Sequence, residues 1–163
     1  MKKCVLLVLS MLSFASMAQK KKAATASPLE AEKQAMIGNL DKRFDEYAKI
    51  SKQIWDYAEL GYMEEKSSLL LQEQLKKEGF QVQAGIAGIP TAFVATYGAG
   101  KPVIGILGEY DALPGLAQEA TPEIKPIPNQ KGGHGCGHNL FGTASVAAAI
   151  EVKNWLQKSG KPG

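Results

Sequence analysis

Residues 131–139 read KGGHGCGHN, and in them His134, Cys136 and His138 alternate with glycine. Glycine reaches backbone angles closed to other residues, so such a turn can aim successive side chains at one centre. Imidazole nitrogen and thiolate sulfur are donors that hold zinc and related divalent ions. Two other readings compete: a cysteine nucleophile with a histidine base, and a glycine loop whose histidines bond only to backbone. Histidines two residues from the cysteine in one loop are poorly placed to be oriented by a third group, which weighs against the nucleophile. The chain has 2 histidines, both in this stretch.

Glu109 and Asp111 form a second group. They leave the end of Val103–Leu107, an unbroken apolar run of the kind that suits a central strand covered on both faces. In an ordinary loop two acids are solvated. At the carboxyl end of a central strand, a carboxylate can ligate a metal or hold a ligand histidine from behind.

The elements that must carry these groups are legible as changes of period. Leu40, Phe44, Tyr47, Ile50, Ile54 and Tyr57 recur at helical spacing, with Asn39 able to cap the start and Gly61 able to end it. A second helix is predicted from Glu64 to Glu78, with Leu69, Leu70 and Leu75 inward. Phe80 and Val82 open an extended piece, and Ala92–Tyr97 is β-prone. Residues 117–133 read as a loop broken by Pro122, Pro126 and Pro128. A third helix is predicted from Leu140 to Gln157, its apolar face built from Phe141, Ala144, Ala148, Val152 and Trp155. Helices, strands, then a strand–loop–helix unit describe an α/β fold with chemistry at a strand's carboxyl end.

The start of the chain reads as an export signal over residues 1–18. Lys2 and Lys3 precede an apolar stretch too short to span a bilayer as a stable helix, and Ser16-Met17-Ala18 supplies small residues at the cleavage positions. Cleavage after Ala18 removes Cys4 and leaves Cys136 as the one cysteine, which cannot close an intramolecular disulfide. Residues 19–38 then read as a mobile leader, and 39–163 as the domain. The expected location is periplasmic or secreted, with no membrane association after cleavage.

The formal net charge is +3, and its local excess sits in Lys20-Lys21-Lys22 beside the cleavage site. A solvated tail accounts for that run. No face pairs basic residues with aromatics for stacking, so nucleic acid is excluded as a partner. A hydrophobic content of 45% is that of a globular protein with a core.

The quoted residues resemble a known family. GEYDALPGLAQ followed by GHGCGHNLFGTA is similar to amidohydrolases of the aminobenzoyl-glutamate utilisation protein B type. These belong to the metallopeptidase group that includes carboxypeptidase G, aminoacylases and the auxin-conjugate hydrolases. AELGYMEEKSS and GIPTAFVATYGAGKPVIGIL resemble it too, so the likeness runs from Leu40 to Gly163. It implies the amino-terminal part of a zinc-peptidase-like catalytic domain, a mixed sheet flanked by helices. It also implies one or two divalent ions, zinc or manganese, and cleavage of the amide of an acyl-amino acid or short peptide. The family's ligands fall on Cys136 and His138, and its strand-end motif on Glu109 and Asp111. Many relatives carry histidine at position 109 and aspartate at position 139. Glu109 is accordingly an uncertain metal ligand, Asp111 a carboxylate acting behind the metal, and His134 has no ligand role.

The resemblance further implies a general-base glutamate, later ligands and a dimerisation domain outside these residues, and a homodimer for the complete enzyme. Glu119, Glu123 and Glu151 are not placed to replace that base. The expectation is therefore an amino-terminal piece, inactive alone. The alternative is an exported binding module or a decayed copy that does not hydrolyse.

Overall fold

A computed structural model of the chain describes residues 27–163. The signal reading, Cys4 and the first part of the leader lie outside the described residues.

Ser27 caps the first helix, its Oγ accepting the Glu30 N–H at 3.2 Å, and Pro28 stands where a missing N–H costs nothing. Helix α1 therefore runs Pro28–Lys42, through residues that composition reads as a mobile leader. Ala, Glu, Lys and Gln are strong helix formers, and tertiary ties hold the helix in place. Trp155 Nε1 donates to Glu32 at 3.0 Å, and Asn39, inside the helix rather than capping one, donates to Glu151 at 3.1 Å.

The chain breaks at Arg43 and continues as α2, Phe44–Tyr57, which closes on Ala58 in a left-handed conformation, before Gly61 is reached. Helix α3 spans Glu65–Lys77, close to expectation, but its inward stripe is shifted. Leu75 is buried and Leu70 packs against the core as read, but Leu69 is 51% exposed and the buried face takes in Leu71 with Ser67, Ser68 and Gln72. The buried polar groups are satisfied internally: Ser68 Oγ donates to the Thr91 carbonyl at 2.6 Å, and Gln72 to Ser68 Oγ at 2.9 Å. A count of apolar residues cannot anticipate a face buried through hydrogen bonds.

Strands β1 (Gln81–Ala84) and β2 (Phe93–Thr96) form an antiparallel hairpin in the register Gln81↔Thr96 to Ala84↔Phe93. Two further short strands, β3 (Leu113–Pro114) and β4 (Gly132–Gly133), pair antiparallel. The predicted central strand at Val103–Leu107 does not form. Val103 is 84% and Leu107 73% exposed, and the segment's one side-chain tie is Ser145 Oγ donating to the Leu107 carbonyl at 2.7 Å. A strand exists by pairing, and no described strand lies beside this one. In place of a mixed sheet flanked by helices, the described residues hold a helical layer with two small antiparallel sheets.

Helix α4 runs His138–Ser159 and packs against α2 and α3 around Ile50, Ile54, Leu71, Leu75, Val146 and Ile150. Its buried side in the first turns is Gly142, Thr143, Val146 and Ala147, not the Phe141–Ala144–Ala148 face read from periodicity. Both sides of that half are small or apolar, so the pattern did not decide which one faces the core. At the rim of the core Arg43 and Lys153 converge on Glu78, at 2.7 and 2.9 Å. No described helix is long and apolar enough to cross a membrane.

Candidate functional site

The histidine loop is shaped by close approaches. A methyl group at Gly133 would overlap the Leu116 carbonyl, so β4 can pass there only as glycine. Gly137 takes a left-handed conformation (φ 82°) as the residue before α4, and its carbonyl accepts the Leu140 and Phe141 N–H groups at 3.0 Å. His138 is thereby the first residue of α4. Asn139 fixes that turn to α2, its Nδ2 donating to Ser51 Oγ at 3.0 Å.

The segment carrying Glu109 and Asp111 is brought against the same turn. A Cβ at Gly142 would come within 2.8 Å of the Glu109 carbonyl, so α4 can approach this closely only with glycine there. The His138 ring lies between the two acids. Its Nδ1–H donates to Asp111 Oδ1 at 2.7 Å, and its Nε2 lies 3.0 Å from Glu109 Oε2. The three side chains are partly exposed, His138 at 24%, Asp111 at 31% and Glu109 at 50%.

This arrangement fits a divalent ion at Nε2. Zinc binds imidazole nitrogen and carboxylate oxygen at about 2.0–2.2 Å, which sets two tetrahedral ligands about 3.3 Å apart. Nε2 and Glu109 Oε2 stand at nearly that separation. Asp111 is the closer acceptor, on the opposite nitrogen, and favours the tautomer that leaves Nε2 available to a metal. Because the acids sit on opposite sides of the ring, Asp111 would act behind the metal. Among the described residues no group of three or more His, Cys, Asp or Glu side chains is placed to hold a metal ion.

Cys136 is an exposed free thiol. His134 is 3% exposed and faces the core, where Nε2–H donates to the Ile54 carbonyl at 3.1 Å. Burial pushes its pKa below the ordinary histidine range, only partly offset by that carbonyl, so the ring is neutral and its Nδ1 has no hydrogen-bond partner. The structure thus joins Glu109, Asp111 and His138, leaves His134 in the core, and shows no contact between Cys136 and these three.

Beside the acids opens a cavity of about 320 Å³, lined by Gly61, Tyr62, Glu64, Thr91, Glu109 and Asp111 among others. Glu64 is buried in its wall, accepting from Tyr62 N–H at 2.8 Å and Thr91 Oγ1 at 2.7 Å. Sequence reasoning passed over Glu64 and Thr91. The signal available was AELGYMEEKSS, which carries the family resemblance and also holds the acid that the fold buries.

No family model matches the chain. It is 48% identical over 118 residues to a p-aminobenzoyl-glutamate hydrolase subunit of Escherichia coli (strain K12), covering 72% of this chain and 24% of that protein. It is 29% identical over 150 residues to a Mus musculus Xaa-Arg dipeptidase, covering 85% of this chain and 31% of the relative. It is 35% identical over 109 residues to thermostable carboxypeptidase 1 of Saccharolobus solfataricus, covering 64% and 27%. The chain spans 24–31% of the length of these relatives. All three are hydrolases of amide or peptide bonds by name, and the resemblance carried by the two motifs is to this amidohydrolase and peptidase group.

Proposed function

We propose, from that kinship, that these residues form the part of a metal-dependent amidohydrolase that presents His138, Glu109 and Cys136 to a divalent ion, zinc or manganese. The supporting observation is the His138 ring held between Asp111 and Glu109. When bound, such an ion supplies Lewis acidity toward an amide carbonyl. His138 Nε2 would be a ligand, the Cys136 thiolate and Glu109 two more, and Asp111 keeps the proton on Nδ1. The adjoining cavity would admit one side of an acyl-amino acid such as aminobenzoyl-glutamate, or of a short peptide. The glutamate that removes the proton from water would come from outside these 163 residues, so the chain alone would not turn over.

One relative is named as part of a multi-chain hydrolase, and assembly with a different chain or a second copy belongs to the proposal. Export to the periplasm or medium belongs to it as well, on the strength of residues 1–18.

The test is a chimera in which residues 40–163 replace the matching segment of the Escherichia coli relative. It should release aminobenzoate from aminobenzoyl-glutamate with zinc or manganese present, and lose that activity with His138→Ala. The 163 residues alone should be inactive. Turnover that survives His138→Ala would remove the site assignment.

A further inference from the structure

We infer that Glu59 is the positioning residue of the Asp111–His138 pair; the inference rests on reading that pair as part of the site. The N-terminus of α3 lacks a side-chain cap from its own flank, because the Glu64 carboxylate is spent on Tyr62 and Thr91. Glu59, outside the helix, takes that place. Its Oε1 accepts the Lys66 N–H at 3.0 Å, and its Oε2 accepts the Ser67 N–H and Ser67 Oγ–H, both at 2.8 Å. First-turn N–H groups have no partner within a helix, and a carboxylate there is favoured by the helix dipole as well.

The main chain of the same residue holds the acids. The Glu59 carbonyl accepts the Ala112 N–H at 2.7 Å, within the parallel bridge Leu60↔Ala112. Ala112 is 2% exposed and is the covalent neighbour of Asp111. The strand leading to the histidines rests on this turn too, since a Cβ at Gly132 would lie 2.6 Å from the Ala58 carbonyl and 3.3 Å from Ala112 Cβ. Helix α3, the acid segment and the histidine loop are therefore all referenced to Ala58–Leu60. With its side chain tied at one end and its carbonyl at the other, Glu59 transmits the position of α3 to Asp111. His138 Nδ1 then finds its acceptor at 2.7 Å.

The experiment is ¹⁵N-imidazole NMR of the whole chain, in which only His134 and His138 contribute signals. In folded Glu59→Ala, exchange of the His138 Nδ1–H with water should quicken about tenfold or more, with the His134 N–H unchanged. Glu59→Gln, which keeps one acceptor oxygen, should restore part of the protection. A residue that only stabilises the fold would lower the melting temperature and leave the His138 signal alone well below melting. Unchanged His138 exchange in folded Glu59→Ala, or equal quickening at both histidines, overturns the inference. Should Glu59→Ala fail to fold, Glu59→Gln carries the test, and wild-type exchange there overturns it. The readout needs neither metal nor turnover, so its failure is separable from failure of the proposed activity.

Discussion

Asp111→Asn changes one atom of the site and should change which nitrogen of His138 carries the proton. In the wild type both carboxylates can only accept. Asp111 at 2.7 Å is the shorter partner and favours the proton on Nδ1, while a metal at Nε2 would stand where a proton would otherwise face Glu109 at 3.0 Å. An asparagine can turn its amide over and donate to Nδ1. The proton then moves to Nε2, where Glu109 Oε2 at 3.0 Å is ready to accept it. Both hydrogen bonds of that second arrangement are good ones, so the variant settles in the tautomer that cannot bind a metal through Nε2. Altering a group that orients a ligand histidine costs roughly 10- to 100-fold in metal affinity. That factor is about 1.4–2.7 kcal/mol. Imidazole ¹⁵N shifts report the tautomer directly, and zinc titration by calorimetry reports the affinity. If Asp111→Asn keeps the Nδ1–H tautomer and binds zinc within about twofold of wild type, the argument from the carboxylate is refuted.

The ion cluster at the rim of the core should dominate acid sensitivity. Burial raises the pKa of Glu78, but the bonds from Lys153 and Arg43 outweigh it and hold the group below the usual carboxylate range. Its stabilisation is therefore complete above the ordinary carboxylate pKa and is lost as pH falls through the lowered one. Glu78→Gln leaves Lys153 with only the main-chain carbonyl of residue 78, while Arg43 keeps Glu46 at 2.8 Å. It should cost about 2–4 kcal/mol in urea unfolding at pH 7, with a smaller difference near pH 3; a loss under about 1 kcal/mol at pH 7 would show the cluster to be screened. Leu71→Ala should cost about 2–5 kcal/mol and Leu69→Ala under about 0.5, because Leu71 is 1% and Leu69 51% exposed; the reverse order would restore the helix phase read from sequence. Intact mass of protein secreted by a bacterial host should begin at Gln19, and uncut chain in the membrane fraction would defeat the export reading.

The sequence made some of this legible and hid the rest for identifiable reasons. Glu109 and Asp111 were singled out from the end of a strand that does not form, and His138 and Cys136 from the glycine loop; the structure brings His138 to both acids but shows no contact from Cys136 to them. Helix α3 and the two extended pieces that become β1 and β2 followed from local period, while their pairing as a hairpin did not. Helix α1 was missed because its apolar content is low and its stability comes from a cap and from contacts with α4, more than a hundred positions away. The strand at Val103–Leu107 was read from composition, but strands depend on a partner that composition does not supply. Glu59 was invisible for a similar reason. Its side chain and its carbonyl act on segments that only the fold brings near.

Metal binding by the chimera that completes the ligand set tests the central claim most directly. Cobalt is the informative ion, because a thiolate ligand gives it a charge-transfer absorption that imidazole and carboxylate do not. The account predicts that the chimera carrying residues 40–163 binds cobalt with that absorption, which Cys136→Ser abolishes. His138→Ala should weaken binding by about tenfold or more, while His134→Ala, which removes a ring bonded to the Ile54 carbonyl, has a far smaller effect. Equal losses from His134→Ala and His138→Ala, or binding that ignores both Cys136→Ser and His138→Ala, would contradict it.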